Sequence, residues 1–211
     1  MAHRGSIIKR RPLIAGIGLA FLISASLTGQ ASAFAAGAPS QFIKDLGENA
    51  ITMVRNPDLS HEEKTKRFRA LLEKGFALKP IARFVLGRYW REASDAQRQR
   101  YVKLFEDYIV NSYSARFNEY EGETFKVLGE HSNGKEAAVV TTKVDRPKGG
   151  EPVKVDWHVH DYNGELKIVD VVIEGVSMSV TQRSDFAGAI RQYGGNLDAF
   201  LDALQKKVNS Y

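Results

Sequence analysis

The segment "KVDWHVH" holds the most chemistry-capable residues in the 211-residue chain: Asp156, His158 and His160, spaced two apart. Alternate residues of a strand lie on one face about 7 Å apart. Two imidazoles and a carboxylate so placed could bind zinc or transfer protons. A complete zinc site needs further ligands, and the only other histidines beyond residue 33 are His61 and His131. The same alternation puts Val153, Val155, Trp157 and Val159 on the opposite face. The polar set therefore reads as the wet side of a half-buried strand, with no metal expected. Asp170 differs, standing in "IVDVVIE" between apolar neighbours. A carboxylate buried there needs a partner. Arg83, Arg88 and Arg91 are available, and an ion pair with Arg83 is the expectation. The chain has no nucleophile elbow, phosphate-binding glycine loop or HExxH motif, so no enzymatic activity or cofactor is expected.

A second candidate is "ARFVLGRYWR", residues 82–91. Arginines among aromatics could stack bases and pair phosphates. On a helical wheel, however, Val85, Leu86, Tyr89 and Trp90 gather on one side with Leu78 and Ala82, while Arg83, Gly87 and Arg91 occupy another. A glycine there costs a helix up to about 1 kcal/mol, which close approach of another element would explain. Charge also argues against nucleic acid. The whole chain carries 30 Lys+Arg against 25 Asp+Glu, but four of the basic residues and none of the acidic ones precede residue 34. The remainder is 26 against 25, without the basic excess that a phosphate backbone demands.

Residues 1–33 read as a cleaved signal peptide. Arg4, Lys9, Arg10 and Arg11 precede the short apolar run "LIAGIGLAFLI", and "ASA" at 31–33 supplies the small residues for cleavage. "KRRPLIA" also loosely fits a twin-arginine signal, and an uncleaved anchor is the alternative. Export implies the periplasm. The chain has no cysteine, so packing alone must stabilise what remains. Residues 34–211 are enough for one domain with a sizeable core.

The elements that would position these groups fall into three blocks. Residues 38–120 read as helices: a first amphipathic one ending before Pro57, a second beginning with the capping box Ser60–Glu63, a third opening near Pro80 and carrying "ARFVLGRYWR", and a long one from Ser94–Gln97 to about 119. In the long helix Tyr101, Val102, Leu104, Phe105, Tyr108, Ile109 and Tyr113 sweep about 180°, where a surface helix needs about 100°. It must touch apolar material on two sides. Over 123–174 the period becomes two, giving four strands joined by short links, with Asn133–Gly134 and Asn163–Gly164 as hairpin turns. Residues 177–208 return to helix, stopped by Gly194–Gly195 and restarted at Asn196. The order is α+β.

Four separated blocks, "IARFVLGRYWR", "YSARFNEYEGETF", "PVKVDWHVH" and "IVDVVIEGVSMSVTQRSDFAGAIR", resemble the MlaC family of toluene-tolerance auxiliary proteins. The likeness runs from about Ala38 to the C-terminus. It implies a curved four-stranded antiparallel sheet of the nuclear-transport-factor-two-like (cystatin-like) type, wrapped by about six helices. It also implies a periplasmic shuttle whose apolar cavity holds the acyl chains of a phospholipid. The partners implied are an inner-membrane ABC transporter with its substrate-binding ring protein and an outer-membrane lipoprotein–porin complex. A monomer is expected, with hopanoid or another terpenoid lipid as alternative cargo.

The residues expected to line that cavity are Val85, Leu86 and Tyr89 of the third helix; Tyr101, Leu104, Phe105, Tyr108, Ile109 and Tyr113 of the long helix; and Val155, Trp157, Val171 and Ile173 of the strands. Two competing readings are a small enzyme using Asp156, His158 or Asp170 as acid or base, and an adaptor that carries no cargo. The enzyme needs its ionisable groups inside the cavity; the adaptor needs a cavity too small for an acyl chain.

Overall fold

The computed structural model describes residues 37–211; the expected signal peptide lies outside the described residues. The chain folds as helices α1 (Ala38–Arg55), α2 (His61–Gly75), α3 (Leu78–Leu86), α4 (Tyr89–Glu92) and α5 (Asp95–Ser114), then a 3-10 turn at Phe117–Glu119. Strands β1 (Thr124–Ser132), β2 (Ala137–Asp145), β3 (Val153–Tyr162), β4 (Glu165–Ile173) and β5 (Val176–Ser177) follow. Helices α6 (Met178–Gln192) and α7 (Leu197–Val208) close it. The sheet is an open antiparallel meander in the order β1 to β5. The architecture is α+β as expected. The expected four strands gain a fifth of only two residues, too short for a period to reveal.

Helix boundaries follow capping chemistry. Ser94 Oγ accepts from the Gln97 amide at 3.2 Å while the Gln97 side chain accepts from the Ser94 amide at 2.9 Å, a complete capping box that starts α5. At α2 only half the expected box forms. Ser60 Oγ accepts from the Glu63 amide, and the Glu63 carboxylate turns instead to Arg67 at 3.2 Å. Helix α1 has no cap of its own and borrows one from the sheet. Glu130 of β1 accepts from the Gly37 amide at 2.8 Å and the Ser40 amide at 2.7 Å, putting negative charge at the positive helix end. Burial alone would raise the Glu130 pKa, but these hydrogen bonds outweigh it and hold the carboxyl below its ordinary value.

"ARFVLGRYWR" is not one helix. Gly87 adopts φ 61°, ψ −127° and ends α3, with its amide bonded to the Arg83 and Phe84 carbonyls. That backbone is open to glycine alone at low cost. A wheel drawn across 78–91 therefore loses its phase at Gly87, and α4 restarts with a new direction. The expected close approach is present: a Cβ on Gly87 would lie 3.2 Å from the Arg183 guanidinium. Similarly α5 stops at Ser114 rather than near 119, its extension broken into the 3-10 turn.

Two apolar clusters hold the molecule. One joins α3, α5, α6 and α7 around Phe186, whose ring meets Tyr101, Phe105, Tyr108 and Phe200 at centroid distances of 5.2 to 6.3 Å. The other packs Ile43 of α1 against Val140, Val159 and Ile168 of the sheet. Two bulges, at Leu128 in β1 and at Val169 in β4, interrupt the registers and bend the strands that carry them.

Candidate functional site

Between the two clusters lies a cavity of about 530 Å³. Each wall is one stripe of an amphipathic element. Helix α1 contributes Ile43, Leu46 and Ala50, and α2 adds Phe68, Leu71 and Leu72. Helix α3 presents Leu78, Ile81 and Val85, and α5 presents Phe105, Ile109 and Tyr113. These spacings of three and four place each set on one helix face. The sheet supplies alternate residues: Val155 and Trp157 of β3 stand opposite Ile173 and Val171 of β4, and paired residues share a face.

The buried polar atoms in this wall are occupied within the protein. Trp157 Nε1 donates to Thr142 Oγ1 at 2.9 Å, and that hydroxyl donates to the Val155 carbonyl at 3.3 Å. Among the described residues no buried side-chain polar atom lacks a partner. The wall thus offers water few sites, and an apolar cavity of this kind favours an apolar guest. Polar groups gather at the rim. Tyr120 donates to the Glu123 carbonyl at 2.9 Å. The Glu121 amide, donating to the Glu123 carboxylate at 2.9 Å, holds that carboxyl below its usual range. At another edge Ser179 and Gln182 of α6 line the cavity.

Eight expected wall residues lie along the cavity: Val85, Phe105, Ile109, Tyr113, Val155, Trp157, Val171 and Ile173. Five do not. Leu86, Tyr89, Tyr101, Leu104 and Tyr108 belong to the helical cluster instead. The wide arc of α5 does meet apolar material on two sides, but its Tyr101–Leu104–Tyr108 side meets α6 and α7 rather than the cavity. Tyr101 is fully buried and its hydroxyl donates to the Ala82 carbonyl at 3.1 Å. The stripes of α1 and α2 also line the cavity, beyond the residues expected there. Their spacing was visible in sequence, but nothing there told a stripe facing a cavity from one facing solid core.

Asp170 does not pair with Arg83. Its Oδ1 accepts from the Val171 and Ser179 amides at 2.9 and 3.0 Å, and its Oδ2 from Ser177 Oγ at 2.6 Å. It ties β4 to the start of α6, where amides rather than a cation meet its charge. Arg83 stands on the outer side of α3, exposed, in a groove with Lys79 and Phe84. Asp170 lines the cavity with its oxygens taken up by the Val171, Ser177 and Ser179 donors, whereas Asp156, His158 and His160 do not line it. Asp156 accepts from Thr141 Oγ1 at 2.6 Å and pairs with Lys154 at 2.9 Å. His160 packs on Tyr162 with ring centroids 4.8 Å apart. Among the described residues no three metal-capable side chains come together.

Comparison with known proteins agrees with this architecture. The family model "MlaC protein" matches residues 44–206. Toluene tolerance protein ttg2D of Pseudomonas putida is 23% identical over 172 residues, covering 82% of this chain and 78% of that protein. The intermembrane phospholipid transport system binding protein MlaC of Haemophilus influenzae is 23% identical over 128 residues, 59% of each chain. A phospholipid-binding protein from Ralstonia solanacearum, solved in complex with a phospholipid, shares the fold with a TM-score of 0.68 at 20% identity, over 81% of this chain and 96% of that one. The family match spans most of the chain and reaches every wall of the cavity, so this protein belongs to the MlaC family.

Proposed function

We propose that this protein is a periplasmic phospholipid carrier whose cavity takes up acyl chains while the headgroup stays at the polar rim. The observation that carries this reading is the cavity itself: about 530 Å³, within the roughly 300–1,000 Å³ of ligand sites, walled by apolar stripes from four helices and the sheet. Each buried methylene contributes about 0.8 kcal/mol, so a chain is held without covalent or metal chemistry. Export by cleavage after residue 33 places the carrier between two membranes. Its exchange partners are then an outer-membrane lipoprotein–porin complex and the ring protein of an inner-membrane ABC transporter.

Native mass spectrometry of protein purified without detergent tests the reading. A co-purifying phospholipid mass is expected, and Ile109→Trp, which fills the cavity from α5, should lower its occupancy while the fold persists. Lipid-free protein, or unchanged occupancy in the folded variant, would overturn it. A terpenoid mass instead would replace the phospholipid as cargo.

A further inference from the structure

On the side of α3 away from the cavity lies an open groove formed by Lys79, Arg83, Phe84, Arg88, Arg91 and Arg183, with Gly87 and Trp90 between them. It gathers five cations and no carboxylate among its lining residues. Residues 34–211 as a whole carry 26 basic and 25 acidic side chains, so the rest of that surface is net acidic and the groove is a concentrated exception.

The groove is also built in a particular way. Lys79, Arg83 and Arg91 make no side-chain ion pair or hydrogen bond among the described residues. Arg183 lies over the Phe84 ring at 4.9 Å, and Arg88 over the Tyr89 ring at 4.8 Å while donating to its hydroxyl at 2.9 Å. Phe84 is 41% exposed in the middle of this charge, and Trp90 is half-buried beside it. Acidic character nearby comes from Glu92, which faces Arg88 from α4.

We propose that this groove docks the protein onto an anionic phospholipid bilayer. Long basic stems with free ends reach phosphates at varied positions, as a fluid headgroup layer presents them. The exposed Phe84 and the neighbouring Trp90 suit the boundary between headgroups and acyl chains. An acidic protein partner would instead favour guanidinium forks fixed in register, and here three of the five cations have no such fixing. Leu78, Ile81 and Val85, on the opposite side of the same helix, line the cavity. Docking through the groove would therefore bring the bilayer within one helix of the cargo site.

Sedimentation with vesicles tests this, using phosphatidylcholine alone and phosphatidylcholine mixed with phosphatidylglycerol. Binding is expected only to the mixed vesicles and should fall with added salt. Each cation near an anionic surface contributes about fivefold to partitioning, so Arg83→Gln with Arg91→Gln should weaken it about 25-fold. The matched pair Lys66→Gln with Lys103→Gln should have little effect. Equal binding to both vesicles, no binding to either, or equal losses from the two variant pairs would each overturn the proposal. Patch-dependent binding to an acidic protein without vesicle binding would overturn it too. Cargo measured by native mass spectrometry should be unchanged in the Arg83/Arg91 variant, which separates failure of docking from failure of the carrier reading.

Discussion

Asp170 shows how far residue chemistry can be read before the backbone is known. The apolar neighbours in "IVDVVIE" correctly signal a carboxylate that must be satisfied, but they do not name the donors. The donors are local: Val171, Ser177 and Ser179, all within nine residues. They meet Asp170 because β5 turns back along β4 and delivers the first amides of α6. Arg83 looked the better partner because opposite charge is visible in a sequence, whereas an amide at a helix start is not. The two arrangements predict different stabilities. Asp170→Ala should destabilise the fold by about 1–3 kcal/mol, since Ser177 Oγ and the Ser179 amide lose their acceptor. Arg83→Ala should change stability by less than about 0.5 kcal/mol, as an exposed surface substitution does. Urea denaturation of both variants checks this, and comparable losses would restore the ion-pair account.

At the scale of elements, periodicity placed the helices and strands well, but it could not say what each stripe faced. The three-residue spacing in α1 was legible, and so was the two-sided arc of α5. Which side of α5 met solid core depended on α6 and α7 closing over it from far along the chain. Gly87 is the clearest case of a local signal read in the wrong frame, because a glycine inside a helical pattern and a glycine ending one look alike until φ is known. Gly47 carries the opposite lesson. It sits within α1, where glycine costs about 1 kcal/mol against alanine, and a Cβ there would overlap Cζ of Phe125. Its absence lets the Phe125 ring of β1 lie against the helix, where both residues line the cavity. Gly47→Leu should therefore destabilise the protein by about 1–3 kcal/mol through overpacking, despite its better helix propensity. Adding Phe125→Ala should recover most of that loss. If Gly47→Leu is neutral or stabilising in chemical denaturation, the ring contact does not constrain the helix.

For the whole molecule, the division into two clusters decides what an empty cavity would do. Helices α6 and α7 are anchored by the Phe186 cluster, whose members Phe186, Phe200 and Leu201 do not line the cavity. Helix α2 fully buries only Leu72 and Gly75. Its remaining apolar stripe, Phe68 and Leu71, faces the cavity, with Phe68 edge-on to Phe117 at 5.3 Å. Helix α1 likewise turns Leu46 and Ala50 inward. A guest in the cavity completes the packing of α1 and α2 and touches the first turns of α6, while adding little to α7 and to the part of α6 around Phe186 and Ile190. A ligand present at a hundred times its dissociation constant stabilises the folded state by about 2.7 kcal/mol. For a chain of this length that is roughly 5–10 °C in Tm. Stripping bound lipid should lower Tm by that order. The loss should also be uneven, since local opening follows local packing. Amide hydrogen exchange should quicken in α1 and α2 and stay nearly unchanged in α7 and at Ile190 of α6, a fully buried member of the Phe186 cluster. Uniform acceleration along the chain would mean that the clusters are one cooperative unit. Faster exchange confined to α6 and α7 would put the guest on the wrong side of α5.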